Sequence, residues 1–203
     1  MKKFSEKINV DLSQIVDSVN QGYKRNNIPK PSPSVGGACL YKDPHILASS
    51  FNEYNLDKSL ILKSRKINEL GHIQVYKKLQ KLLKSLGKNI NHSKIFLIGM
   101  AFKGTPETSD LRNSTSLWFL SLFKNKKNIS AFDYNVSKKE IEKLGIKYQS
   151  LNDGFKKADA VVILNNNPKY NEINIYKMLN YMNKPGVFID TWHIFEPAEI
   201  KKI

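Results

Sequence analysis

The chain has 203 residues, 40% hydrophobic and 25% charged, which is enough to bury one good core or two modest ones and is typical of a folded globular protein. No apolar run approaches the ~20 residues of a membrane span, and the start lacks the apolar segment of a signal peptide, so we expect a cytoplasmic protein without a membrane segment. A single cysteine excludes an internal disulfide, which agrees with a reducing compartment.

The formal net charge of +15 raises the alternative of nucleic-acid binding, because such a field attracts polyanions. The basic residues are scattered through every segment, however, and no recognisable nucleic-acid-binding motif accompanies them. We therefore expect no specific nucleic-acid partner. A basic nucleic-acid binder would bind DNA or RNA with a steep dependence on salt, which separates this alternative from the others.

The first twenty residues have apolar positions at a mostly helical spacing that is interrupted around Asn9. This pattern predicts two short helices, the second of them capped by Asp11. Residues 56–86 have a much longer helical pattern, with Gly87 as the residue that ends it. A helix of that length usually links two domains or forms a dimer interface.

The stretch from Lys30 to Pro44 holds the cysteine behind a pair of glycines. Two prolines stiffen its approach, while Gly36 and Gly37 let the backbone come close to a ligand or take a positive φ. A thiol is a nucleophile only when ionised, and Lys42 could supply the positive charge that favours the thiolate of Cys39. These features predict an active-site loop. The alternative is that Cys39 is an inert small core residue, the commonest fate of a lone cysteine.

From Ser93 onward, short apolar strands alternate with amphipathic helices, which predicts a doubly wound α/β unit with a mainly parallel sheet. Ligands of such sheets bind outside the carboxyl ends of the strands. We therefore divide the chain into a helical domain at 1–88, with the cysteine loop and a connecting helix, and an α/β domain at 89–203. The predicted strands are 94–99, 129–133, 146–149, 160–164 and 187–190, and the predicted helices are 111–123, 137–144, 151–157 and 170–181.

The segment from Gly99 to Ser114 leaves the first predicted strand and enters a helix. Lys103 and the start of that helix suit a phosphate group, and Phe102 can pack on a sugar or a base. The spacing is not Gly-x-Gly-x-x-Gly, so it does not predict a complete dinucleotide site. The alternative is a simple strand-to-helix turn that is closed by a salt bridge between Asp110 and Arg112.

The cysteine stretch resembles the cysteine loop of the UDP-glucose/GDP-mannose dehydrogenase family. Asp43 followed by proline, together with the run 25–31, is most similar to the subgroup that oxidises UDP-N-acetylmannosamine or UDP-N-acetylglucosamine. Ser32 and Ser34 stand where the family usually has glycine, and a serine that needed a positive φ would strain the loop. The matching residues are Val35, Gly36, Gly37, Cys39 and Asp43.

Three stretches of the α/β part resemble the UDP-binding domain of the same family. They are Gly99 to Ser114, which has the Gly-x-Ala-Phe-Lys and Asp-x-Arg-x-Ser elements, Ala158 to Asn165, and Phe188 to Phe195. Trp192 stands where many relatives have an arginine that contacts the UDP part. The joint order and spacing of these stretches are more specific than any one of them.

The resemblance implies roles for particular residues. Cys39 is implied to be the nucleophile, and Asp43 to assist proton transfer or the positioning of water. The residues implied to bind the substrate are Arg25, Lys30, Val35, Gly36, Phe102 and Lys103. Those implied to contact the cofactor NAD are Gly37, Lys42 and Arg112, and no metal ligands are implied.

The resemblance also implies an activity, the NAD-dependent oxidation of the C6 alcohol of a UDP-sugar to a carboxylate, for polysaccharide precursors. The aldehyde stage is implied to be held on the cysteine as a thiohemiacetal and then oxidised to a thioester. We expect a homodimer. We also expect little activity from these 203 residues alone, because the NAD-binding domain of the family is not among them, and a separate polypeptide could supply it. The alternative is a non-catalytic UDP-sugar-binding or assembly subunit, which would have no need of Cys39.

Overall fold

The computed structural model describes residues 2–8, 10–196 and 200 of the chain. The chain divides into two compact units, Met1–Ser32 and Pro33–Ile203. The boundary that the sequence predicts near residue 88 falls inside the second unit and stays a prediction.

The first unit contains the two short helices that its apolar spacing predicts. They are α1 (Lys2–Lys7) and α2 (Leu12–Asn20). Asp11 caps α2 as predicted, because its carboxylate accepts a hydrogen bond from the backbone N–H of Ser13 at 2.8 Å. The chain that follows is fixed by Asn20, whose side-chain amide both donates to and accepts from the backbone of Ile28.

The second unit begins with three helices, α3 (Ala38–Glu53), α4 (Ser59–Glu69) and α5 (Gly71–Ser85). The prediction of one continuous helix over 56–86 is therefore wrong, because the helix is interrupted at Leu70. The physical reason lies at Gly71. A side chain there would collide with the carbonyl oxygen of Pro33, so a remote piece of backbone lies against the start of α5.

Five parallel strands form one sheet in the order β3-β2-β1-β4-β5. β1 and β4 are buried along their whole length, which agrees with the continuous apolar runs that predict a sheet covered on both faces. The predicted fold class, a helical segment joined to a doubly wound parallel sheet, is confirmed. The strands are β1 (Ile95–Ile98), β2 (Ile129–Phe132), β3 (Lys147–Tyr148), β4 (Ala160–Ile163) and β5 (Val187–Asp190).

Two apolar clusters lie on the two faces of the sheet, because neighbouring residues of a strand point to opposite sides. Ile95 and Leu97 belong to the cluster that α5 covers with Leu79 and Leu83, while Phe96 belongs to the other cluster. α5 is thus part of the core that supports the sheet.

The helices between the strands are shorter than the sequence predicts. α6 begins at Thr115 and not at 111, because Asn113 has a φ of 52° and Ser114 is the N-cap. The predicted helix over 170–181 is a 3₁₀ helix (Pro168–Glu172) followed by a short α-helix. None of the helices in the described part of the chain is both long and apolar enough to cross a membrane. The remaining helices are α6 (Thr115–Ser121), α7 (Lys138–Lys143), α8 (Leu151–Phe155) and α9 (Ile175–Asn180).

Candidate functional site

The cysteine segment, defined here as residues 33–43, is only partly a loop. Gly37 is the N-cap of α3 with a φ of 100°, a conformation that glycine adopts far more readily than other residues. The helix therefore starts at Ala38, and Cys39 lies in its first turn with an exposed thiol. The prediction of a loop around Cys39 is wrong in this respect, although the glycine pair before it acts as expected. Neither Ser32 nor Ser34 is among the described residues with positive φ, so the expected strain is not present.

The helical start places Cys39, Lys42 and Asp43 on one face, because residues three and four apart on a helix are neighbours. The ammonium of Lys42 lies 2.8 Å from a carboxylate oxygen of Asp43, and both side chains are exposed. The hydrogen bond that Lys42 donates to Asp43, followed by the negative charge of Asp43, raises the pKa of Lys42, and the charge of Cys39 adds a smaller contribution. The positive charge of Lys42, which we expect to favour the thiolate of Cys39, is therefore paired with a carboxylate.

The phenylalanine segment, defined here as residues 99–114, follows β1. Its ends are held together because the N–H of Phe102 donates to the carbonyl of Asp110 at 3.0 Å. Phe102 and Lys103 are half-buried, and the ammonium of Lys103 lies 5.2 Å from the centre of the Phe102 ring. An aromatic face and a cation therefore lie together beyond the carboxyl end of β1.

Arg112 is held by Asp110 in a forked ion pair. Its Nε lies 3.0 Å from both carboxylate oxygens and its Nη2 lies 2.7 Å from one of them, while 76% of the side chain is exposed. The hydrogen bonds from the side chain and the backbone N–H of Arg112 lower the pKa of Asp110. Asp110 raises the pKa of Arg112 in turn, and the charge of Cys39 adds to this, which puts the guanidinium within electrostatic reach of the sulfur.

The cysteine segment and the phenylalanine segment meet at the two glycines. The N–H of Gly37 donates to the carbonyl of Asn113 at 3.3 Å, and a side chain at Gly36 would collide with that same carbonyl. A Cβ at Gly37 would lie 2.9 Å from Cε2 of Phe102, so the backbone packs directly on the ring. The predicted site residues of the second unit are Val35, Gly36, Gly37, Cys39, Lys42, Asp43, Phe102, Lys103 and Arg112, and all of them belong to these two segments.

Arg25 and Lys30, the other predicted substrate contacts, belong to the first unit. Both are exposed there, and the ammonium of Lys30 lies 2.9 Å from a carboxylate oxygen of Asp17. Their binding roles stay predictions.

Asp133, at the end of β2, is a structural residue of the site that sequence reasoning missed. Its carboxylate is buried and accepts hydrogen bonds from the backbone N–H groups of Met100 and Ala101, at 2.7 and 3.0 Å, and of Asn135. The side-chain amide of Asn165 also donates to it. A lone acidic residue directly after an apolar strand was the signal that could have drawn attention to it.

The hydrogen bonds that Asp133 accepts decide whether it could also bind a cofactor. In dinucleotide-binding sheets an acidic residue in the first βαβ unit binds the ribose, whereas this carboxylate is already occupied by backbone N–H groups. Asp133 is therefore not available to bind the ribose of a dinucleotide. The predicted NAD contacts, Gly37, Lys42 and Arg112, lie instead on the two segments, and the exposed cations among them suit an anionic group.

Trp192 and Asp190 shape the end of β5. The indole N–H of Trp192 donates to the carbonyl of Leu164 at 2.9 Å, so its polar atom is directed toward the sheet. The carboxylate of Asp190 accepts from three backbone N–H groups of the following turn, including that of Trp192. This position therefore holds an aromatic side chain that is anchored to the backbone.

Two surface cavities differ in their relation to these segments. One, of about 1010 Å³, is lined by lysines that include Lys94 and Lys147 and lies at the amino edge of the sheet, away from where such sheets bind ligands. The other, of about 620 Å³, lies between α3 and α4 and is lined mainly by apolar side chains, with Asp43 and Arg65.

Among the described residues, no group of three His, Cys, Asp or Glu side chains could hold a metal ion.

Comparison with known families matches almost the whole chain. The profile of the UDP-glucose/GDP-mannose dehydrogenase family, UDP binding domain, matches residues 96–197, and the profile of the central domain of the same family matches residues 1–70. The order of the two matches follows the order that the sequence motifs predict.

Individual relatives agree with these matches. A UDP-N-acetyl-D-mannosamine dehydrogenase of Pyrococcus horikoshii is 29% identical over 94% of this chain and 42% of its own length. A UDP-glucose 6-dehydrogenase of Rickettsia typhi is 25% identical over the whole chain and 47% of its own length. The solved structure of the UDP-D-ManNAc dehydrogenase from Pyrococcus horikoshii superposes with a TM-score of 0.79 at 26% identity, over 96% of this chain and 43% of that protein. The chain thus spans less than half the length of these relatives.

Proposed function

Because the chain belongs to the UDP-glucose/GDP-mannose dehydrogenase family, we propose that it binds a UDP-sugar and contributes the cysteine of a 6-dehydrogenase. One observation carries this proposal: the packing of Gly37 on Phe102, which sets the helix that bears Cys39 against the aromatic ring and the cation of the other segment. The relatives named above act on UDP-N-acetylmannosamine and UDP-glucose, and a UDP-N-acetylhexosamine is the substrate that the cysteine stretch favours.

The substrate roles follow from the chemistry of each side chain. In the proposal, Lys103 binds a phosphate oxygen of the UDP group, since an ammonium is a strong donor to phosphate. Phe102 packs on the sugar or the base with the ring face that Gly37 leaves free. Val35 contributes its exposed side chain and Gly36 its backbone, while the substrate roles of Arg25 and Lys30 stay predictions.

The cysteine chemistry would proceed in three steps. The thiolate of Cys39 attacks the C6 aldehyde formed in the first oxidation, and the oxygen takes a proton to give a thiohemiacetal. Loss of a hydride from that carbon and of the proton from its hydroxyl leaves a thioester, and water then replaces the sulfur to give the carboxylate, the free thiol and a proton. Asp43, one helical turn after Cys39, is placed to move a proton or position the water.

NAD would accept the hydride in each oxidation. Gly37, Lys42 and Arg112 are the residues that would face it. Asp133 is not free to bind a ribose, so most of the NAD contacts would come from residues beyond these 203, on the same or a separate polypeptide.

A non-catalytic UDP-sugar-binding or assembly role is the second candidate. The observation that favours it is the pairing of both cations near Cys39 with neighbouring carboxylates, Lys42 with Asp43 and Arg112 with Asp110. Retention of an exposed cysteine on the first turn of a helix favours the enzyme instead.

Calorimetry with UDP-N-acetylmannosamine and UDP-N-acetylglucosamine tests the binding step. Substituting Lys103→Ala removes a charge-assisted contact worth about 1.5–3 kcal/mol, so we expect at least roughly tenfold weaker binding. Lys124→Ala, at an exposed lysine outside both segments, is the matched control and should bind as the wild type does. No heat from the wild-type chain at millimolar ligand would refute the proposed function.

Self-association is the proposed oligomeric behaviour, because apolar side chains on α3 and α4 are largely exposed, among them Leu60 at 76% and Ile67 at 63%. Light scattering should give about twice the monomer mass, and Leu60→Lys should reduce it without unfolding the chain. A chain that is folded and strictly monomeric at high concentration would contradict the dimer.

A further inference from the structure

The backbone just before the glycine pair is held by an asparagine of α4. The N–H of Val35 donates to Oδ1 of Asn68 at 2.8 Å, and Nδ2 of Asn68 donates to the carbonyl of Val35 at 2.9 Å. This exchange of two bonds is the pattern by which antiparallel strands pair, made here by one side chain. The hydroxyl of Ser34 adds a bond to the carbonyl of Asn68 at 2.7 Å.

The backbone just after the cysteine is held by an arginine of the same helix, for a reason that lies in Pro44. Proline has no N–H, so Pro44 cannot bond to the carbonyl of Leu40, four residues earlier in α3. Nη1 of Arg65 lies 3.1 Å from that carbonyl and supplies the missing donor. The first turn of α3, which contains Cys39, thus has an external partner.

Arg65 is itself a fixed anchor. Its side chain is 5% exposed, and its Nε donates to a carboxylate oxygen of Glu69 at 2.9 Å. The guanidinium carbon lies 5.2 Å from the ring centre of Tyr41 and 5.9 Å from that of Trp118, both within the range of cation–π attraction. A planar, stacked guanidinium has little freedom to follow a moving partner.

We propose that Arg65 and Asn68 are positioning residues, which bracket Cys39 from both sides and set where its sulfur lies relative to Phe102. The two residues are three apart on α4 and so share one face of it. What the sulfur does there rests on the proposed function. Where it lies does not depend on that function.

The variant Asn68→Asp tests the first contact. An ionised carboxylate accepts from the N–H of Val35 but repels its carbonyl, whereas a protonated one offers one donor and one acceptor, as the amide does. Amide hydrogen exchange over 33–43 should be about tenfold faster than in the wild type at about pH 8. It should return toward the wild-type value at about pH 5, because a carbonyl partner favours the protonated carboxyl.

A second measurement is the protection of the Cys39 thiol by ligand. This protection would not change if Asn68 had only a structural role. In the wild type, UDP-N-acetylmannosamine should slow the reaction of Cys39 with a dithiodipyridine. In Asn68→Asp that protection should be lost at about pH 8 and regained at about pH 5. Asn128→Asp is the matched control, since Asn128 also donates to a backbone carbonyl, that of His92, but just before β2.

A double-mutant cycle tests the second contact and does not depend on the Asp variant being folded. Pro44→Ala restores an N–H at position 44, which can bond to the carbonyl of Leu40. Arg65→Met should therefore speed hydrogen exchange over 33–43 about fivefold less in the Pro44→Ala background than in the wild type.

Different results would overturn the positioning role and the proposed function. Unchanged exchange over 33–43 in Asn68→Asp at both pH values, or an effect of Arg65→Met that is equal in both backgrounds, would overturn the positioning role. A wild-type chain whose Cys39 is not protected by any UDP-sugar would instead overturn the proposed function, and the exchange measurements would still decide the positioning role.

Discussion

The cysteine segment and the phenylalanine segment meet at Gly37 and Phe102, yet they are held in different ways. The phenylalanine segment is closed partly by its own contacts, because Asp110 receives the N–H of Phe102 and the guanidinium of Arg112, and the hydroxyl of Ser114 donates to the carbonyl of Met100. The buried carboxylate of Asp133 also holds the start of this segment. The cysteine segment depends on partners that are distant in sequence. They are Arg65, Asn68 and Asn113.

This difference indicates which half of the site can form by itself. The contacts inside the phenylalanine segment join residues at most 14 apart and require little loop closure, whereas those that hold the cysteine segment join residues 25 or more apart. We infer that the turn of the phenylalanine segment forms more readily than the cysteine segment, and that the thiol reports on the packing of the helices. Four predictions test this contrast.

The largest effect is expected from Asp133→Ala, which removes the acceptor of the buried N–H groups of Met100 and Ala101. Each orphaned buried donor costs about 1–3 kcal/mol, so the free energy of unfolding should fall by roughly 3 kcal/mol or more. Urea denaturation measures this. Asp133→Asn keeps one acceptor and should lose less, and equal losses for the two variants would contradict the argument.

A smaller effect is expected from Gly37→Ala, at the point where the segments meet. Strain at a φ of 100° costs about 1–3 kcal/mol, and the new methyl group would also push on the ring of Phe102. Gly87→Ala is the control, because Gly87 has a positive φ but no atom within 4 Å of a Cβ. Only Gly37→Ala should reduce the protection of Cys39 by UDP-sugar, and equal protection in both variants would show that the contact is unimportant.

A third, modest effect concerns the thiol. Arg112→Gln removes a cation within electrostatic reach of Cys39, so alkylation by iodoacetamide near neutral pH should slow about twofold to fivefold, the size expected of an exposed charge interaction. Lys124→Gln serves as the control. Because surface charges are screened, the difference should shrink in high salt. An alkylation rate that is unchanged at low salt would show that Arg112 does not affect the thiol.

The smallest effect concerns pH. The hydrogen bonds from Arg112 lower the pKa of Asp110, so this ion pair contributes stability above the unfolded pKa of about 3.9, and the contribution is lost as the pH falls through the lower folded value. The side-chain amide of Asn68, which holds the cysteine segment, carries no charge. Acidification below about pH 4 should therefore reduce exchange protection over 99–114 before it reduces protection over 33–43. Asp110→Asn should abolish the difference.

The sheet and the family resemblance could be predicted because their signals are local. A continuous apolar run such as Ile95–Ile98 predicts a strand buried on both faces, and the predicted five strands appear in the structure within one or two residues at each end. Gly87, the predicted end of the helix before the sheet, has the positive φ that ends helices.

The errors have remote causes. The break at Leu70 depends on the approach of Pro33 to Gly71, almost forty residues later in the chain, and no periodicity of 56–86 contains that information. The helical position of Cys39 depends likewise on the carbonyl of Asn113, which binds Gly37. Apart from Arg25 and Lys30, the residues implied by the motifs nevertheless fall on two touching segments, because a motif reflects such contacts without showing them.

The hydrogen bonds that the carboxylate of Asp133 accepts limit how this sheet could be redesigned to bind a dinucleotide. An acidic group that accepts hydrogen bonds from the N–H groups of Met100 and Ala101 stiffens the turn after β1. The same group is then not free to accept hydrogen bonds from the hydroxyls of a ribose. A glycine-rich fingerprint engineered into that turn would therefore still lack a free acidic group for the ribose. The same buried carboxylate that gives the turn its rigidity is unavailable for that role.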